Sequence, residues 1–209
     1  PSSLIMKVWR TLFGAFIVAS KRRRITQLKD SVAIEYCTGC RWGTKAFWIA
    51  QEILEKTVVN VTVIPSKRSG TFQIRSNARN ILWDRETQGM PDVDIEDVLE
   101  LVARNNVDDD TVDEADTVVY PNVQIWHNSS TQLRAAYYAQ ELCLTFQDEL
   151  GSVTLVPNWF EFAIRLDNNN GEETLLLCND EFPRTKELKQ RLRDYLDPSK
   201  DLGHSDVQA

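Results

Sequence analysis

The sequence predicts an α/β fold built as two βαβ-ββα units in tandem, the second without the cysteine pair of the first. Three observations predict it. An alternating apolar run, Val32-Ala-Ile-Glu-Tyr36, leads into Cys37-Thr-Gly-Cys40, and an amphipathic helix follows from Thr44 to Lys56. The same order of strands and helices then returns in the second half of the chain. Between the halves, Asp108–Asp116 holds six acids in nine residues. Self-repulsion and the lack of apolar periodicity make that stretch a solvated linker.

The chain divides into an N-terminal extension (1–30), a first domain (31–105), the acidic linker (106–120), a degenerate second domain (121–196) and a tail (197–209). Leu4–Ala19 is apolar but broken by Lys7 and Arg10, and it ends at Lys21-Arg-Arg-Arg24. The uninterrupted apolar part, Thr11–Ser20, is about half the length a membrane-spanning helix needs. Residues 1–24 fit a mitochondrial-type presequence, an interfacial membrane helix, or an extension with no role.

In the first domain, Val32, Ile34 and Tyr36 alternate as in a strand, and Phe47, Ile49, Ala50, Ile53 and Leu54 take helical spacing. Val58–Ile64 reads as a second strand stopped by Pro65. Thr71–Arg75 and Asn80–Asp84 are the third and fourth. Ile95, Val98, Leu99 and Val102 share one face of a closing helix. A right-handed crossover makes the first two strands parallel.

The second domain repeats this. Asn122–Trp126 matches the first strand, and Leu133–Leu142 matches Thr44–Ile53, with Ala-Gln-Glu shared at 50–52 and 139–141. Val153–Pro157 matches Val61–Pro65. Phe160–Arg165, Thr174–Cys178 and Glu187–Leu196 supply the remaining strands and helix. Two copies make homologous domains rather than a stacked array. Aligned on Ala-Gln-Glu, Cys37 falls on Trp126 and Cys40 on Ser129; with a two-residue gap they fall on Asn128 and Thr131. Neither register supplies a thiol. Cys143 and Cys178 read as small buried hydrophobes, and His127 beside the erased site as a surface or packing residue.

The chemistry sits at Cys37 and Cys40. A strand fixes the first cysteine, and the first turn of the helix offers unpaired N–H groups and a partial positive charge. Both favour thiolate, the form that attacks disulfides. Arg41 and Lys45 add charge, and Gly39 lets the chain bend so that the sulfurs meet. C-x-x-C between strand and helix points to a thiol redox site. The competing readings are half a zinc site, for which no second cysteine pair exists, or two inert thiols. No metal and no bound organic cofactor are expected.

Composition narrows the partners. The net charge is −7; residues 1–29 hold seven basic residues and no acid, which leaves −14 on the rest. An acidic body argues against nucleic acid. Four cysteines with one close pair are no secreted framework; they fit a reducing compartment such as the cytoplasm.

Taken together, Ile34-Glu-Tyr-Cys37-Thr-Gly-Cys40-Arg-Trp42, Ala50-Gln-Glu, Val61-Thr-Val-Ile-Pro65, Ser69-Gly-Thr-Phe72 and Ile81-Leu-Trp-Asp84 resemble the selenoprotein W-type redox proteins of the selenoprotein W/T/H (Rdx) group. The match is to the fungal-type, cysteine-only form. The resemblance implies a thioredoxin-like fold with a redox-active C-x-x-C after the first strand. Animal members often carry selenocysteine at the position of Cys40. The second domain resembles the same group with its site erased, and Glu187–His204 is similar to the tail of fungal single-domain members. Thioredoxin logic makes Cys37 the nucleophile; the selenocysteine position points to Cys40. Both assignments stand at this stage.

The expected function is therefore a thiol–disulfide oxidoreductase or redox sensor working through Cys37/Cys40 and a mixed disulfide. Substrates would be protein or glutathione disulfides, and glutathione or a thioredoxin system the reductant. Trp42 is a candidate for a partner-docking surface, whereas Trp48 and Trp83 read as core. By fold analogy, backbone at Gly70 and Thr71 faces the dithiol and could hold an extended substrate. The rival expectation is a non-enzymatic interaction scaffold whose second domain docks partner proteins.

Overall fold

The computed structural model describes residues 31–76, 80–91, 95–105, 121–159, 162–168, 173–178 and 182–203. The N-terminal extension, the acidic linker and His204 lie outside them. The first repeat comprises β1 (Ser31–Cys37), α1 (Gly43–Lys56), β2 (Asn60–Ser66), β3 (Phe72–Ser76), β4 (Asn80–Asp84), α2 (Arg85–Gln88) and α3 (Glu96–Asn105). The second comprises β5 (Asn122–His127), α4 (Gln132–Thr145), β6 (Ser152–Pro157), β7 (Ala163–Asp167), β8 (Glu173–Cys178) and α5 (Thr185–Leu196).

Each repeat makes four strands with one parallel pair. β1 pairs parallel with β2 and antiparallel with β3, and β5 does the same with β6 and β7. The outer hairpins even break register at the same place, between Ile74 and Arg75 and between Ile164 and Arg165. The two repeats are not separate bodies. β2 pairs antiparallel with β6, giving one eight-stranded sheet in the order β4-β3-β1-β2-β6-β5-β7-β8. Strand pairing here satisfies an edge that a lone repeat would leave open.

The sheet alternation assigns its faces. Val32, Ile34, Val61, Val63, Ile74, Val123, Ile125, Val153, Leu155 and Ile164 are fully buried and share one core with the apolar faces of α1, α3, α4 and α5. The alternate positions carry polar pairs. Arg75 bridges to Glu35 at 3.1 Å, and Arg165 lies over the Trp126 ring at 4.6 Å. α1 and α4 pack against each other across the repeat boundary. Where β2 meets β6, Thr62 and Thr154 face each other with hydroxyls 3.0 Å apart, and buried Asn122 accepts from Ser152 and Thr154 through Oδ1. A buried carboxamide with two hydroxyl donors is satisfied rather than costly.

Several boundaries differ from the sequence expectation. β2 does not stop at Pro65; it continues to Ser66, with Pro65 in register opposite Tyr36. Only Val61–Val63 belong to the β6 ladder, so the missing N–H of Pro65 falls where β2 has a strand on one side only. Val58 is exposed and β2 begins at Asn60. The third strand of the second repeat is described over Ala163–Asp167 and runs past the expected end at Arg165, while Phe160 and Glu161 lie outside the described residues. The short α2 was not anticipated; Asp84 caps it by accepting from the Glu86 N–H at 2.9 Å.

One sheet and one core imply one cooperative unit. Leu155→Ala, in the second repeat, is expected to cost about 2–5 kcal/mol, measured by urea unfolding. It should also lower hydrogen-exchange protection of the β1 amides. Unchanged β1 protection would show that the repeats open independently.

Candidate functional site

β1 ends inside the sheet, and its last residue is Cys37. The chain then turns through Thr38 and Gly39 to Cys40 and enters α1 at Gly43. Cys37 and Cys40 are joined by a disulfide, with Cα atoms 5.3 Å apart, inside the usual range for a bridge. The two sulfurs have different surroundings. Cys37 is 3% exposed, whereas Cys40 is half-buried. The Cys40 N–H donates to Cys37 Sγ at 3.1 Å. A turn N–H thus points at the Cys37 sulfur, and α1, which follows, has neither a side-chain cap nor a first-turn acid at its N-terminus. Such a position stabilises a thiolate.

The tight bend is taken elsewhere than expected. Gly39 does not adopt a positive φ; Arg41 does, at 59°, the only non-glycine to do so among the described residues. A side chain there costs about 1–2 kcal/mol relative to glycine-like freedom. Arg41 is exposed, and Lys45 stacks on Trp48 at 4.5 Å.

The β2–β3 loop closes the other side of the dithiol. Thr38 donates its N–H and its hydroxyl to the Ser66 carbonyl, at 3.0 and 3.2 Å, and Cys37 donates its N–H to the Thr71 carbonyl at 2.8 Å. The Thr71 N–H donates to the Arg68 carbonyl at 3.3 Å, and Arg68 Nε donates to the Thr71 hydroxyl. Arg85 Nε donates to the Gly70 carbonyl at 2.6 Å. Its guanidinium also lies 5.4 Å from the Trp42 ring, which meets Phe72 edge-on at 6.3 Å. Trp42, Gly70 and Thr71 are thus brought to the dithiol. The Thr71 backbone and the Gly70 carbonyl are already engaged within the chain.

Sequence reasoning missed Arg68 and Arg85. Both bear on Asp84, whose carboxyl is held below the usual range first by the Glu86 N–H and Gln73, then by these guanidiniums. The signal available was Asp84 itself, next to Arg85 and opposite Gln73 in the β3–β4 ladder.

The second repeat shows what replaced the dithiol. His127 pairs with Pro157 as Tyr36 pairs with Pro65, so Asn128 follows β5 as Cys37 ends β1. α4 begins two residues earlier in its repeat than α1 does. The gapped register, with Cys37 on Asn128, is therefore the correct one, and the ungapped match to Trp126 is not. Asn128 Oδ1 accepts from the N–H groups of Ser130 and Thr131 at 3.0 and 3.2 Å. A carboxamide oxygen fills the place a sulfur would occupy. Packing changed with it. Tyr36 lies against Gly43, where a Cβ would come within 3.3 Å of the ring; the matching pair is His127 and Gln132, a smaller ring with a larger neighbour. His127 is fully buried, not at the surface, and burial lowers its pKa. Cys143 is buried in α4 and burial pushes its thiol up, so it is an inert packing group. Trp48 and Trp83 lean partly buried on the core.

Among the described residues, no group of histidine, cysteine and carboxylate side chains could hold a metal, and no helix is long and apolar enough to cross a membrane.

A dithiol joined across a strand–turn–helix at the edge of a βαβ unit defines a thioredoxin-like site, carried here by the first of two thioredoxin-like domains in tandem. The family model for the Rdx family matches the chain twice, over residues 31–104 and 123–194, and the protein belongs to that family. A crystal structure of a protein from Bordetella parapertussis is 32% identical, over 37% of this chain and 98% of its own, with a TM-score of 0.33. No curated protein matches the sequence.

Two outcomes follow from this geometry. Gly70 has a φ of 76°, and an added Cβ would lie 3.2 Å from Arg85 Nη2. Gly70→Ala should cost about 1–2 kcal/mol in thermal unfolding and shift Trp42 fluorescence as Arg85 leaves its ring. For His127 the folded-state pKa lies below the 6.5 of the free side chain, so the unfolded chain takes up protons first. Stability is then full above that value and falls as pH drops below it. Replacing His127 with Leu should flatten the decline between pH ~7 and ~5, seen by comparing urea midpoints with the parent protein.

Proposed function

We propose that the protein is a thiol–disulfide exchange protein in which Cys40 carries the mixed disulfide and Cys37 is the resolving thiol. The observation that carries this is the asymmetry of the pair. Cys40 is half-buried, the more accessible of the two, while Cys37 is buried with a backbone N–H aimed at its sulfur.

In the reducing direction, the Cys40 thiolate attacks one sulfur of a substrate disulfide. The substrate S–S bond breaks, its electron pair leaves on the departing thiolate, and Cys40 is joined to the sulfur it attacked. The Cys37 thiolate then attacks Cys40 Sγ. The mixed disulfide breaks, the second substrate thiolate leaves, and the Cys37–Cys40 bridge forms. Two electrons pass from the dithiol to the substrate, and the released thiolates take up two protons. The bridge is reopened by the reverse route, with an external thiol attacking the half-buried Cys40 sulfur and Cys37 leaving as a thiolate that accepts the Cys40 N–H. Glutathione or a thioredoxin system is the reductant, and protein or glutathione disulfides are the substrates.

Docking next to this pair involves the Trp42 ring with the Arg85 guanidinium on it, while buried Thr71 and the Gly70 carbonyl, both bonded within the chain, hold the loop opposite in place. Arg41, Arg68 and Arg85 make the rim electropositive, which suits substrates that carry carboxylates near their disulfide. The reading places the protein in a reducing compartment, where the bridge is opened after each turnover.

Single substitutions separate the roles. With Cys37→Ser, incubation with oxidised glutathione should leave a stable adduct on Cys40, seen as a mass increase that persists. With Cys40→Ser, the buried Cys37 should form the adduct roughly tenfold or more slowly. Equal trapping rates would reverse or void the assignment. Failure of the parent protein to reopen its bridge at any glutathione poise would end the exchange reading altogether.

A further inference from the structure

Four of the nine large apolar side chains exposed among the described residues, Leu133, Tyr137, Trp159 and Phe182, lie around the erased site. A groove of about 720 Å³ runs between the start of α4 and the segment entering α5, next to Ser130 of the turn that replaced the dithiol. Its rim is formed by Leu133, Tyr137 and Phe182, which are 74%, 51% and 39% exposed. Arg134 lies over the Phe182 ring at 4.4 Å, and Arg184 stands at the mouth of the groove. Trp159, 85% exposed, is at the same end of the sheet, since Asn158 before it donates to the His127 carbonyl.

The first repeat supplies an internal comparison. Counting from the start of each helix, Leu133, Arg134 and Tyr137 match Thr44, Lys45 and Trp48; Phe182 before Pro183 matches Met90 before Pro91. In the first repeat Trp48 and Met90 lean on the core, and the exposed position is a threonine. In the second, that threonine is a leucine, Tyr137 is half exposed, and Phe182 keeps 39% of its surface open while its ring packs on Phe162 at 5.0 Å. The packing of the repeat does not require Leu133 and Tyr137 to be apolar, because α4 already buries Ala135, Ala139 and Leu142, and Tyr138, which also lines the groove, is itself buried.

We infer that this groove is a docking site for a partner protein, which it takes by an acidic segment carrying apolar or aromatic side chains. Charge complementarity sets the chemistry. Among the described residues two arginines, Arg134 and Arg184, line the groove, no acid does, and neither guanidinium has a carboxylate partner. Aromatic rings beside arginine are the side chains that most often anchor protein interfaces. The acidic body of the chain disfavours a nucleic acid at the same place.

The location fits a function separate from exchange. β2 and β6 are antiparallel, so β1 and β5 point opposite ways and their C-terminal ends lie at opposite ends of the sheet. Three strand spacings, about 14 Å, separate them sideways as well. A docked partner leaves Cys37 and Cys40 open. The inference does not depend on the dithiol chemistry, and its test keeps the two apart.

The probe is a random copolymer of glutamate and tyrosine, with binding to the full-length protein followed by fluorescence anisotropy at graded salt. The expected result is salt-weakened binding, reduced about tenfold or more by Arg134→Glu with Arg184→Glu, and reduced also by Leu133→Ser with Tyr137→Ser. Cys37→Ser with Cys40→Ser should leave binding unchanged. All the substituted groove residues are exposed, so loss of fold is not the expected cause, and unchanged urea midpoints would verify that. Three results would overturn the proposal. Binding could survive both groove variants and vanish when Lys21–Arg24 are replaced by Ala. A single-stranded oligonucleotide could bind the groove in preference to the copolymer. Or sedimentation could show a dimer that the Leu133/Tyr137 variant dissolves, which would make the occupant a second copy of this chain.

Discussion

The antiparallel pairing of β2 with β6 is the constraint on which the rest of this molecule depends. Three residue pairs, Val61 with Leu155, Thr62 with Thr154 and Val63 with Val153, join two four-stranded halves into one sheet. Once those strands are paired, α1 and α4 lie side by side and their apolar faces close over a single core. The strand beside β1 acquires a partner on each side, which holds the end of β1, and hence Cys37, at a fixed place. The same pairing turns the two repeats head to tail. That is why the dithiol and the erased site face opposite directions.

Within the first repeat the dithiol is placed by backbone rather than by side-chain chemistry. Cys37 gives its N–H to the loop at Thr71 and receives the Cys40 N–H at its sulfur; Thr38 is pinned to Ser66. Arginines then brace that loop, Arg85 against Gly70 and Arg68 against Thr71. The second repeat keeps the strand, the turn and the helix, and substitutes Asn128 for the sulfur. A carboxamide oxygen accepts the same turn N–H groups that would otherwise favour a thiolate. The erased repeat is thus satisfied electrostatically, which lets it persist as a structural half after losing its thiols. The correlated exchange of Tyr36 with Gly43 for His127 with Gln132 shows the packing around the turn adjusting at the same time.

How far could the sequence be read? Alternation at Val32, Ile34 and Tyr36 and helical spacing from Phe47 to Leu54 report burial directly, so β1 and α1 were legible. β4 was found to the residue, at Asn80–Asp84. Boundaries failed where a neighbour decides them. Pro65 reads as a stop because proline cannot donate to a ladder, yet here no ladder needs that donor. Arg41 rather than Gly39 takes the left-handed conformation because the helix start fixes the turn, and no local preference announces it. The bracing by Arg68 and Arg85 was invisible, since it links residues from the β2–β3 loop and α2 that meet only in the folded sheet.

The sequence by itself determined the repeat, the α/β class, the cysteine pair between strand and helix, and the absence of cysteines from the matching turn of the second copy. These follow from local pattern and residue identity, which need no knowledge of what lies across a strand. The tertiary structure alone decided that the copies share one sheet, that Cys37 is buried while Cys40 is only half-buried, and that the erased site displays an aromatic groove. Each of these depends on which surfaces are covered by distant parts of the chain. Val61 and Val153 look the same whether their strand edge meets water or another strand; only the β2–β6 pairing chooses.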